Sequence, residues 1–143
     1  MNKKGIVIAI GLTAVIAMAI FFAYGEVSIA QECRIVRIHG GVAGSAKKVD
    51  IEPQTLWISK GGCVIWNNWV RTDEIKVIFE EGKKCEDMTD SPMGFKLDAA
   101  NCYVTTWIPL GGTSSLRFNE EGAFEYSVEA KGGIKARGKI VVR

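Results

Sequence analysis

The chain has 143 residues, 48% of them hydrophobic and 24% charged, which fits one globular domain with an appendage. Its formal net charge is +2, and once Lys3, Lys4 and Glu26 are set aside, 16 basic residues face 15 acidic ones after Ala30. So even a balance excludes the broad basic field with which a nucleic-acid binder neutralises phosphates.

After Met1-Asn2-Lys3-Lys4 comes an uncharged run from Gly5 to Gly25, long enough to cross a bilayer core of about 30 Å. Lysines in front of it and none close behind place the remainder outside the cytoplasm, on the periplasmic or extracytoplasmic face of a membrane. Residues 1–30 are therefore a signal peptide or a transmembrane anchor. Ser28-Ile29-Ala30 has the small-x-small form of a cleavage site, whereas the apolar run exceeds the roughly 7–15 residues of a signal-peptide core. Cys33 does not directly follow the small residues, which argues against a lipid anchor. Four cysteines in an exported chain suggest two disulfides, with three pairings open.

Residues 31–143 read as β structure. Arg34 to His39 alternates and predicts a first strand, followed by a glycine-rich turn from Gly40 to Ser45. Val49 to Ser59 predicts a second, broken near Pro53. Lys60-Gly61-Gly62 turns the chain into a third, Cys63 to Asn67, with Val64 and Trp66 inward, and Lys76 to Glu80 predicts a fourth. Alternation lapses from Glu81 to Thr105, which reads as an inserted loop in which Asp98 to Asn101 makes at most one helical turn. Strand character resumes at Val104 to Ile108 and runs into a terminal hairpin. There Phe124, Tyr126 and Val128 alternate with polar residues. Ile134, Ala136, Gly138, Ile140 and Val142 likewise point away from Lys135, Arg137, Lys139 and Arg143. About eight short strands with regular turns predict an all-β Greek-key sandwich, preceded by one N-terminal hydrophobic helix.

The F-x-x-x-G-x-F-x-Y run from Phe118 to Tyr126, followed by G-x-I-V-V from Gly138, resembles the last hairpin of the cupredoxins, the blue-copper sandwich proteins. The stretch from Ile51 to Asn68, with Pro53, Gly61, Val64, Trp66 and Asn68 at its fixed points, resembles an upstream stretch of the same family. The likeness spans roughly Ile35 to Arg143 and implies a cupredoxin-like sandwich with an insertion at 81–105. In that layout the first and third strands are parallel neighbours, which favours pairing Cys33 with Cys63 and closing the insertion with Cys85 to Cys102. The family's copper-ligand positions fall at about Ile75 and at Val128, Lys131 and Ala136. A blue-copper site takes two His, one Cys and a weak axial Met, and His39 is the only histidine in the chain. We therefore expect no mononuclear copper and no cofactor. An alternative is a displaced copper site built from Met88, Met93, His39 or reduced Cys85 and Cys102, whose soft sulfurs suit Cu(I). The plainer reading of the same residues is a disulfide with two methionines packing the insertion.

No Ser-His-acid or Cys-His set can be assembled, and no C-x-x-C pair is present, so an enzyme is not expected. Charge is uneven: Asp73 to Asp90 holds seven acids against three lysines, while the tail after Glu129 holds five basic residues and no acid. Solvated faces and docking patches both explain this pattern. Trp69 follows Asn67-Asn68, near the pole where a copper cupredoxin carries its metal and meets its partners. It is a binding anchor there or packs under the insertion. With Arg71, Lys131 and the insertion it forms the surface expected to meet a protein partner. The expectation is an exported, membrane-tethered binding or structural module, accessory to an envelope or electron-transfer complex. Its alternative is a copper-handling or electron-transfer protein.

Overall fold

The structure is a computed structural model. It describes residues 32–43 and 46–143, so the N-terminal segment 1–30 expected as leader or anchor lies outside the described residues. Among those described, no helix is long and apolar enough to cross a membrane.

Two sheets pack face to face. The first holds β1 (Cys33–Ala43), β2 (Ala46–Glu52), β4 (Cys63–Val70), β6 (Thr89–Met93) and β9 (Thr113–Phe118), in the order β2-β1-β4-β9-β6. The second holds β3 (Thr55–Ile58), β5 (Ile75–Phe79), β7 (Phe95–Leu97), β8 (Tyr103–Thr105), β10 (Gly122–Ala130) and β11 (Lys135–Val142), in the order β3-β11-β10-β5-β8-β7. One short helix, α1 (Gly82–Asp87), follows β5. The two-residue period of the sequence is visible throughout. Along β4, Val64, Trp66, Asn68 and Val70 are buried, and along β10 so are Phe124, Tyr126, Val128 and Ala130. Trp66 sits at the centre, meeting Phe79, Phe95 and Tyr126 edge-on at ring-centroid distances of 5.8, 5.5 and 5.6 Å. Edge-to-face contacts of this kind add about 0.5–1.5 kcal/mol each beyond area burial.

β1 runs parallel to β4 with Cys33 opposite Cys63, and a disulfide joins them. The first-to-third strand pairing expected of a cupredoxin layout is thus present. Several details differ from the sequence reading. The second strand divides at Pro53, which has no N–H to offer a ladder. Its first half pairs with β1 and its second half crosses to the other sheet, parallel to β11. The third strand runs on to Val70, placing Asn68 and Trp69 within it. The insertion is not a loop, and its strands raise the count to eleven among the described residues. β6 pairs with β9, while β7 and β8 extend the second sheet beyond β5.

The pairing of Cys85 with Cys102 is not formed, and both are free thiols. Cys85 is buried on the inner side of α1 within the core cluster, next to Tyr103. Strand alternation turns Tyr103 and Thr105 inward, which leaves Cys102, one residue earlier, on the opposite side and only half-buried. Gly82 rests on the backbone of Asn101 to Tyr103, where a Cβ would collide, so α1 is seated directly on the start of β8.

Candidate functional site

One end of the sandwich is gathered around a single buried amide. Asn68 is fully buried near the end of β4. Its Nδ2 donates to the carbonyls of Ile108 at 2.8 Å and Asp73 at 3.1 Å, and its Oδ1 accepts the N–H of Val70 at 2.8 Å. Its backbone N–H donates to the Gly112 carbonyl at 3.0 Å, while its carbonyl accepts from the N–H of Gly111 at 2.7 Å. Gly111 has φ +77°, a left-handed conformation that glycine adopts without steric cost and that lets this loop turn back onto β4. The β4–β5 turn, the β8–β9 loop and β4 itself are therefore held by one residue.

Alternation then decides what faces solvent. Since Asn68 and Val70 point inward, Trp69 points outward and is 56% exposed. Leu110 precedes the glycine that bonds to Asn68, and it is 55% exposed. Trp69 is not packed under the insertion. Leu110 was missed by the sequence reading; an apolar residue between Pro109 and Gly111, in a turn that has no core to bury it, was the available signal.

Arg71 lies exposed in the β4–β5 turn and makes no ion pair among the described residues. Lys131 is differently placed. Its N–H donates to the Glu74 carbonyl at 2.9 Å and its Nζ meets Glu74 Oε2 at 2.8 Å, while Nζ also lies 5.8 Å from the Trp107 ring centroid. Lys131 thus fastens the β10–β11 turn to the β4–β5 turn, and its charge is answered within the chain.

The residues at the copper-ligand positions offer the metal no donors. Ile75 and Val128 are fully buried aliphatic side chains, Lys131 is an ion-paired ammonium, and Ala136 has only a methyl group. His39 lies mid-strand in β1, in register with Trp69 on one side and Asp50 on the other, with Nε2 3.4 Å from Glu52 Oε2. Met93 is on β6, separated from β1 by β4 and β9, a lateral distance of about 14 Å. Met88 ends α1 and packs partly against the core. The structure therefore does not bring Met88, Met93 and His39 together. Among the described residues no group of three or more His, Cys, Asp or Glu is arranged to hold a metal.

Burial pushes the Cys85 thiol up to about 12. Burial, followed by the charges of Asp98 and Glu80, also raises Cys102. Both thiols are thus protonated near neutral pH and poor nucleophiles.

Parallel β1–β4 pairing, two Greek-key sheets and an aromatic core around Trp66 define a cupredoxin-like β-sandwich without the copper-ligand residues. No family model and no curated protein matches the chain. Among solved structures it is similar to amicyanin variants. One Cu(I) form has 19% identity and a TM-score of 0.48, over 81% of this chain and 87% of that one. Another Cu(I) form has 21% identity and a TM-score of 0.45, over 75% of this chain and 82% of that one.

Proposed function

We propose that this protein is an exported, membrane-tethered binding module of the cell envelope, which docks a protein partner through its Trp69 end and works without copper or catalysis. The observation that carries the reading is two large exposed apolar side chains, Trp69, which follows the fully buried Asn68 in β4, and Leu110, which precedes the Gly111 whose N–H bonds to Asn68. Apolar groups held rigidly at a loop end lose little conformational freedom on binding, which is how hot-spot residues anchor interfaces. Arg71, two residues after Trp69 and without an ion pair among the described residues, adds a charge that a partner carboxylate would answer. Export is supported by the Cys33–Cys63 disulfide, a bond that persists in oxidising compartments, and tethering by the apolar run from Gly5 to Gly25.

The test is site-specific photocrosslinking in native membranes. A photoreactive residue at position 69 or 110 should give a discrete adduct that is lost in an Arg71→Glu background. The same residue at position 57, on exposed Trp57 of β3, should give none. Equal labelling from all three positions, or none from any, would refute the docking end.

A further inference from the structure

The outer face of the second sheet carries a groove of about 460 Å³. Its floor is apolar: Ile78 of β5 and Val104 of β8 stand opposite one another in register, both half-buried. Lys96 of β7 continues that row beyond Val104. Trp107 forms a wall, and Lys76 Nζ lies 4.5 Å from its ring centroid. Neither Lys76 nor Lys96 makes an ion pair among the described residues. The two carboxylates at the rim are engaged elsewhere. Glu129, the register partner of Lys76, meets Lys135 at 3.2 Å, and Asp98 accepts the N–H groups of Ala100 and Cys102 at 2.9 Å each. The larger hollow on the same sheet, about 630 Å³, is different, because its lysines are answered: Lys84 by Glu81 at 3.0 Å and Lys139 by Glu125 at 2.8 Å.

We propose that this groove binds a small amphiphilic anion, one carboxylate on a flat apolar body. The carboxylate lies between Lys76 and Lys96, and the body rests on Ile78 and Val104 beside Trp107. Two strand spacings and a two-residue offset put the two lysine backbones about 12 Å apart, within common reach of their long side chains. Lys76 is held against an aromatic face rather than a carboxylate, so an incoming anion gains a charge-assisted hydrogen bond without displacing an existing partner. The groove is shallow and open, so affinity in about the millimolar range is expected.

The test titrates the full-length chain in lipid nanodiscs with benzoate and with its neutral analogue benzamide, read by saturation-transfer difference NMR against empty nanodiscs. Benzoate should bind, benzamide should bind at least about tenfold more weakly, the Lys76→Glu and Lys96→Glu variants should each lose at least about tenfold in benzoate affinity, and Trp57→Ala, at an exposed residue outside the groove, should leave it unchanged. Lys76→Gln and Lys96→Gln serve if a charge reversal lowers the melting temperature. No benzoate binding up to about 20 mM, equal binding of benzamide, or indifference to both lysine substitutions would overturn the proposal. Because Trp69 is outside the groove, this result and the crosslinking result stand or fall separately.

Discussion

Asn68 has no exposed surface, yet its side chain satisfies two carbonyls and one N–H drawn from three separate segments. A buried polar group is tolerated only when it is paired, and removing one partner leaves the others desolvated and unanswered. Asn68→Ala should therefore destabilise the chain by about 3 kcal/mol, seen as a lower urea midpoint at unchanged slope. Exposed Arg71→Ala should stay within about 0.5 kcal/mol in the same measurement. Asn68 was legible in the sequence as a strand-end residue, but not as the hub that joins two loops to β4. Its partners Asp73 and Ile108 are ordinary residues whose only distinction is where the chain brings them.

Among the elements, β1 and β4 show how a covalent link and a ladder reinforce one another. Their parallel pairing sets Cys33 beside Cys63, and the disulfide closes a separation of 30 residues. On the chain-entropy model, Cys33→Ser with Cys63→Ser should cost about 3–4 kcal/mol, measured by denaturation of the two chains side by side. The insertion teaches the opposite lesson. β6, β7 and β8 are only three to five residues long, too short for a two-residue period to stand out, and β6 carries a register shift between Asp90 and Met93. Phe95 and Tyr103 are the residues that commit this segment to the core. The expected disulfide across its base is not formed.

For the molecule as a whole, burial sets a pH limit on stability. Burial raises the Cys85 thiol from its ordinary 9.0 to about 12 and the Tyr126 hydroxyl from 10.0 to about 12. Both groups are neutral when protonated, so the folded chain keeps these protons to higher pH than the unfolded chain does. Stability is unaffected by them below about pH 9 and falls as pH rises from about 9 to about 12, where the unfolded state releases protons first. Melting temperature should thus be level from about pH 7 to pH 9 and then decline, and Cys85→Val should make the decline shallower. Cross-strand pairs Lys139 with Glu125 and Lys135 with Glu129 balance much of the basic face of β11, which makes that part of the second sheet a solvated surface.

Two things were fixed by the order of residues alone. Alternation in the strands that became β1, β4, β5, β10 and β11 assigned inward and outward side chains, because the pleat repeats every two residues whatever the neighbours are. One histidine in the whole chain means that a single copy cannot supply the two imidazoles of such a copper centre, because the count is independent of conformation. Contact between distant segments was decided only by tertiary packing. Burying Phe95 and Tyr103 drew the insertion into both sheets with Cys85 and Cys102 unpaired, while Leu110 was left exposed in the loop bonded to Asn68. Periodicity is a local property of a chain, whereas the choice of neighbour belongs to the burial of the whole core.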